Sequence, residues 1–377
     1  MTAVLSPVRP CSTRTAGPAP LVGAGGCAAP RHDLLRLGRL VCEGGGVVPD
    51  LQVSVRRWGA PPRADGSNVV LLLHALTGDS HVAGPGGPAH SPTGWWPGVL
   101  GAGAPVDTER FHVIAPDVLG GCTGTSGPAG QPGPAGPPVP NALGGTDFPE
   151  VTVRDQVAAE VRAVQALGIR RVAHVIGASA GGMRALEWAA QTAVPVDHAV
   201  VVAAPAASSA DLRAGLAVQR AAVTADPAWQ GGHYAPQSGP TAGLALARQL
   251  AVLTYRSADG LEQRFGPDAG RLTAWLEHHG RSFVERFDAA CYLRLIGAMA
   301  THDLGRGRGG VQRALRHLPA RVTAVAISSD RFTTPDEVRA LARGTGGRYA
   351  VIESVHGHDG FLIETEQTAT VLRSVLA

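Results

Sequence analysis

A mostly parallel α/β sheet with helices on both faces is what this sequence predicts, and three observations predict it. Short apolar, β-branched runs alternate with helical periods through the first 205 residues and resume after about residue 320. A glycine-bounded serine, Gly177-Ala178-Ser179-Ala180-Gly181, joins one such run to a helical period. Between the two strand-bearing parts, residues 206–315 carry helical periods and no clear strand, which reads as an inserted helical cap. The expected organisation is a core of residues 34–205 and 316–377, interrupted by that cap and preceded by a disordered extension at 1–33.

The elements follow in order. Residues 37–42 and 50–58 read as a strand pair joined through Gly44-Gly45-Gly46. Residues 68–73 and 111–115 are continuous apolar runs, the pattern of strands buried on both faces. The Pro- and Gly-rich stretch 127–145 reads as a loop. Val153, Val157, Val161, Val164 and Leu167 recur at helical spacing, and Gly168 ends that helix. Buried strands are expected at 171–176, 198–202, 321–327 and 349–352.

Composition narrows the function classes. Apolar residues make up 44% of the 377, enough for a substantial core. All 33 basic residues are Arg, net charge is +3, and the charges are scattered, so no nucleic-acid footprint is expected. Arg306-Gly307-Arg308-Gly309 reads as a solvated loop, with a phosphate contact, for instance to coenzyme A, as the alternative. The five cysteines, Cys11, Cys27, Cys42, Cys122 and Cys291, form no CxxC pair, which argues against a disulfide framework and a zinc site and for a reducing cytoplasm. No apolar run approaches the ~20 residues of a membrane helix. The acid-poor N-terminus faintly resembles a transit peptide or lipoprotein signal, but Pro18, Pro20 and several glycines interrupt any apolar segment.

The chemistry converges on Ser179. A strand, a G-x-S-x-G turn and a helix form a nucleophile elbow, the hallmark of the α/β-hydrolase fold. The tight turn demands small neighbours, and the helix start supplies N–H groups and a positive dipole end. The base and orienting acid then follow in chain order. Asp330 sits just past the strand at 321–327. His358, in Val355-His356-Gly357-His358-Asp359-Gly360, sits just past the last strand, with His356 as the competing base. An oxyanion hole needs two backbone donors. Ala180 supplies one and Leu76, in the loop after the strand at 68–73, is nominated for the other. His74 reads as a structural support of that loop.

These segments resemble the homoserine O-acyltransferase family of methionine biosynthesis. The matching stretches are LHALTGDSHV (73–82), GWW (94–96), LGGCTG (119–124), FPEVTVRD (148–155), 177–188, DPAW (226–229), GLALARQLAVLTYR (243–256), RFD (286–288), HDLG (302–305) and HGHDGFL (356–362). The resemblance implies a homodimer that moves an acyl group from an acyl-coenzyme A to the hydroxyl of L-homoserine, with acetyl-CoA as co-substrate and no resident cofactor or metal. It implies a triad of Ser179, Asp330 and His358, and substrate contacts from Arg248, Tyr255 and Asp359. The chemistry agrees: an Arg fork suits the carboxylate of an amino acid, and a carboxylate suits its ammonium. The close matches favour acetyl as the donor. A succinyl donor, a serine acceptor, and a plain esterase or thioesterase remain the alternatives. The chain departs from the family at Ala180, where Met is common, and at Asp117, where Asn is common. It departs again after Asp330, where the loop to Pro335 is one residue longer, and near 264–280, which is shorter.

Overall fold

A computed structural model describes residues 29–85, 93–129, 145–235 and 238–377. The extension up to residue 28, with Cys11 and Cys27, and most of the loop at 127–145 lie outside the described residues.

The N-terminal strands are β1 (Arg31–Arg36), β2 (Leu40–Val41), β3 (Val47–Val48) and β4 (Gln52–Gly59). Next come β5 (Val69–Leu73), β6 (Leu100–Gly101), β7 (Val106–Asp107) and β8 (His112–Pro116), then α1 (Val153–Ala166), β9 (Val172–Ala178), α2 (Ala180–Ala190) and β10 (Val196–Val202). A helical stretch follows: α3 (Ala210–Thr224), α4 (Thr241–Tyr255), α5 (Ala258–Phe265), α6 (Ala269–Val284), α7 (Ala289–Ala300) and α8 (Val311–Arg316). The chain ends with β11 (Arg321–Ile327), α9 (Pro335–Thr345), β12 (Arg348–Ile352), α10 (Gly360–Ile363) and α11 (Thr365–Leu376).

Eight strands form one sheet in the order β1-β4-β8-β5-β9-β10-β11-β12. β1, β4 and β8 pair antiparallel, and every pair from β8 through β12 is parallel. This is the α/β-hydrolase fold expected from the sequence. β5 shows why its residues make a central strand. Val69, Leu71 and Leu73 enter the core beneath α1, α2 and α7, while Val70 and Leu72 enter the opposite core with Trp96, Phe361 and Leu372. A strand covered on both faces needs an uninterrupted apolar run, and each fully buried Leu or Val contributes about 1.5–3 kcal/mol.

The N-terminus corrects two expectations. The partner of β4 is β1, not residues 37–42. Leu40 and Val41 instead pair with Val47 and Val48 across the triglycine turn. Residues 31–33, expected in the disordered extension, belong to β1, where Asp33 pairs with Arg57 at 2.7 Å. β1 lies at the sheet edge with polar residues along it, so it carries no apolar alternation to announce it.

α1 follows its sequence signals. Thr152 and Asp155 form a reciprocal capping box at its start, and Gly168 takes a left-handed φ of 79° just past its end. Among the described residues no helix is long and apolar enough to cross a membrane.

Candidate active site

The parallel strands all end on one edge of the sheet, and loops at that edge carry the site. β9 stops at Ala178 and α2 starts at Ala180, leaving Ser179 alone in the turn at φ 57° and ψ −123°. For a non-glycine residue that conformation costs on the order of 1–3 kcal/mol. Surrounding contacts hold it: the Ser179 N–H donates to Val202 O at 2.9 Å, and Ser179 O accepts from the Met183 N–H at 3.0 Å. The flanking glycines have no room for a side chain. A Cβ on Gly177 falls 2.0 Å from Gly181 O, and one on Gly181 falls 2.1 Å from Leu73 O.

His358 Nε2 lies 2.8 Å from Ser179 Oγ, and His358 Nδ1 lies 2.7 Å from Asp330 Oδ2. All three side chains are buried. The loop after β11 closes tightly: Asp330 Oδ1 accepts from the N–H groups of Phe332 and Thr333. The carboxylate therefore has one oxygen for its own turn and one for the imidazole. Burial disfavours the imidazolium, but the Asp330 charge and hydrogen bond, with Asp359 nearby, outweigh it and raise His358 above the usual histidine value. It is His358, not His356, that faces the serine; the His356 N–H caps Ser354 Oγ.

Leu76 and Ala180 line one small cavity of about 10 Å³ together with His74 and Arg184. Ala180 opens α2, so its N–H has no acceptor within the helix. The loop that carries Leu76 is tied down on both sides. Asp117 accepts from Ser80 N at 2.6 Å, Ser54 Oγ at 2.6 Å and Thr123 Oγ1 at 3.0 Å, binding this loop to the LGGCTG segment. Burial pushes the Asp117 carboxyl up to about 6, against those hydrogen bonds. On the other side, Arg184 donates to His74 O at 2.6 Å and pairs with Glu160, whose second oxygen accepts from Trp188 Nε1 at 2.7 Å. His74 is buried beside Arg184 and pushed down to about 3, burial being the larger cause, so it stays neutral as a support.

The proposed substrate residues gather at the same edge. Tyr255, at the end of α4, has its ring 5.6 Å from the His358 ring. Burial pushes its hydroxyl up to about 12, with Arg248 opposing and Asp359 adding to the shift. Arg248 lies over the rings of Phe283, at 5.0 Å, and Tyr255, at 6.0 Å. No carboxylate pairs with it among the described residues. Asp359 is not free in this way: it pairs with Arg256 at 3.0 Å.

Sequence reasoning missed several of these groups. Glu160 shares the buried face of α1 with Val153, Val157 and Val164, so an acid at core spacing was the available signal. Arg256 carried no comparable signal, because its partner is remote in sequence. The Arg306–Arg308 run has exposed glycines at 307 and 309, as a solvated loop would, but both arginines are paired. Arg306 pairs with Glu43 and Arg308 with Glu187, each at 2.7 Å. Among the described residues no cluster of three or more His, Cys, Asp or Glu is placed to hold a metal ion.

The α/β-hydrolase fold family matches residues 68–365. Homoserine O-acetyltransferase of Thermobifida fusca is 44% identical over 353 residues, covering 90% of this chain and 91% of that protein. The chain belongs to the homoserine O-acetyltransferase family. Within that family, the crystal structure of the Staphylococcus aureus homoserine O-acetyltransferase superposes with a TM-score of 0.74 at 30% identity, over 92% of this chain and 95% of that one. Esterase E22 superposes at a TM-score of 0.82 over 93% of this chain and 100% of that one; at 24% identity this reflects the common fold.

Proposed function

We propose that this protein transfers the acetyl group of acetyl-CoA to the hydroxyl of L-homoserine by way of an acetyl-Ser179 intermediate, a step of methionine biosynthesis. The observation that carries the reading is the hydrogen-bonded line from Ser179 Oγ through His358 to Asp330, with an unpaired Arg248 beside it. Family membership supplies the substrates.

His358 Nε2 accepts the Ser179 proton as Oγ attacks the thioester carbonyl. The N–H groups of Leu76 and Ala180 hold the oxyanion; removing one such donor costs roughly 2.7–4 kcal/mol. Collapse expels the coenzyme A thiolate, which takes the proton from imidazolium. Homoserine then binds with its carboxylate on Arg248 and its ammonium toward Asp359, a carboxylate it shares with Arg256. Its hydroxyl gives a proton to His358 and attacks the acetyl ester, and the proton returns to Ser179 Oγ. The helices of residues 206–315 act as a lid that keeps water from the acyl-enzyme. The enzyme works as a homodimer in the cytoplasm, as family resemblance implies.

The test is thiol release by the purified protein with acetyl- or succinyl-CoA, each with homoserine, serine or no acceptor. Release that requires homoserine and acetyl-CoA is expected. Equal release without any acceptor turns the reading to a hydrolase. In Ser179→Ala the first-turnover burst of thiol disappears; a burst of unchanged size overturns the assignment of the nucleophile.

A further inference from the structure

Beyond the reacting end of the site, the end of α4 joins α5 and α6 in a cluster of which the chemistry at Ser179 uses only the Arg256–Asp359 pair. Trp275 of α6 carries two guanidinium groups: Arg264 Cζ lies 5.2 Å and Arg256 Cζ 5.8 Å from its ring centre. Cation–π contact on one indole fixes two charges that would otherwise separate. Arg264 is exposed and rests also on Phe265, at 5.3 Å. Its contacts among the described residues are with rings, not with a carboxylate. Arg256 pairs with Asp359, yet its buried Nε–H has no acceptor, a cost that buried donors seldom bear without a missing partner.

Of the neighbouring acids, only Asp359 pairs with the cluster, through Arg256, among the described residues. Asp268 pairs with Arg271 and Glu277 with Arg281. His279 packs edge-on against Trp275 at 4.6 Å. Burial, then the nearby charges of Arg248, Arg256, His278 and Arg264, push it down to about 4, so it adds no charge at pH 7. The positive ridge runs from Arg264 to Arg256, and Arg256 touches Asp359, the residue next to His358. It therefore runs from a carboxylate whose charge reaches His358 to the exposed Arg264.

We propose that Arg256 and Arg264, held on Trp275, bind the diphosphate of the coenzyme A nucleotide while the pantetheine arm carries the thioester to Ser179. This inference rests on the acyl-CoA reading above. A guanidinium fork matches phosphate oxygens in geometry and charge. The exposed Arg264, which has no carboxylate partner among the described residues, gains a counter-charge. The exposed end of the ridge also attracts a polyanion before docking.

Ping-pong kinetics allow a clean test, because kcat/KM for donor and for acceptor report separate half-reactions. The full-length enzyme is assayed with acetyl-CoA and with S-acetyl-N-acetylcysteamine, a thioester that lacks the nucleotide. Arg264→Ala is expected to lower kcat/KM for acetyl-CoA about tenfold, and Arg264→Glu to lower it further. Both leave kcat/KM for homoserine and for the short thioester at the wild-type value. Adenosine 3′,5′-bisphosphate competes with acetyl-CoA in the wild type and loses potency in Arg264→Glu. Wild-type kinetics with acetyl-CoA in both variants overturn the clamp, as does an equal loss with the short thioester. Failure of the wild-type enzyme itself to use acetyl-CoA overturns the acyltransferase reading first, and is distinguished by that control.

Discussion

Arg184 donates to the backbone oxygen of His74 at 2.6 Å, and this bond couples the helix behind the nucleophile to the loop that presents Leu76. Arg184 lies on α2 just after Ser179 and is fully buried, as are Glu160 and Trp188 around it. The arrangement makes Arg184 a positioning residue for the oxyanion loop. Arg184→Met leaves Glu160 buried and unpaired, which costs about 3–5 kcal/mol of stability. Adding Glu160→Gln removes the stranded charge and keeps an acceptor for Trp188, so the double variant regains most of its melting temperature. It does not regain rate: kcat stays roughly 10–100-fold low, a fraction of the loss of a whole donor. Melting curves and kcat measured on both variants check this. Recovery of rate together with stability means that the network is structural alone.

On the proposed mechanism, the acid limb of the rate profile belongs to His358, which must be neutral to accept the Ser179 proton. Its folded value is raised, since the Asp330 charge and hydrogen bond, with Asp359, outweigh burial. Activity is therefore full above that raised value and is lost as pH falls through it, at a midpoint above the usual ~6.5. Asp330→Asn keeps the shape and removes the charge. The midpoint of log kcat/KM for acetyl-CoA against pH moves down, and the plateau falls by about 10⁴-fold if the tautomer is lost as in other triads. An unmoved midpoint assigns the limb to another group.

How far the sequence could be read follows from the range of the interactions. The elbow was legible because its constraints are local: Gly177 and Gly181 are excluded from carrying a side chain by backbone within a few residues or on the next strand. β5 and β9 were legible because a doubly covered strand needs an apolar run. β1 was not, since an edge strand with Arg31, His32, Asp33 and Arg36 draws its register from β4 instead of from its own pattern. Chain order and strand ends pointed to Asp330 and to the segment 356–358, and the family resemblance chose His358 over His356. The pairings Arg184–Glu160, Arg256–Asp359 and Arg308–Glu187 were illegible because tertiary packing alone chooses which of many arginines meets which acid.

Two glycines separate steric need from habit. A Cβ on Gly181 sits 2.1 Å from Leu73 O, at the end of β5, and 2.7 Å from His74 O, where the loop that carries Leu76 begins. Gly181→Ala therefore pushes that loop from the elbow, and both stability and kcat fall sharply. Gly215, inside α3, meets nothing within 4 Å and has no positive φ. Gly215→Ala raises stability by about 0.5–1 kcal/mol through helix propensity, leaving kcat unchanged. Thermal unfolding of the two variants beside the parent gives opposite signs; a fall in both indicates that α3 needs the gap at Gly215.

On the proposed mechanism, Arg248 divides the two half-reactions. Its guanidinium has aromatic rings on its flanks and no carboxylate among the described residues, so a substrate carboxylate is the counter-charge it lacks. A lysine restores the charge but not the planar fork. Arg248→Lys should raise KM for homoserine roughly 10-fold and Arg248→Ala roughly 100-fold, the span of one to two charge-assisted hydrogen bonds. The burst of thiol from acetyl-CoA precedes homoserine binding and stays at wild-type amplitude in both. Loss of that burst along with homoserine affinity would place Arg248 on the donor instead, and would move the acceptor carboxylate to another cation of the site.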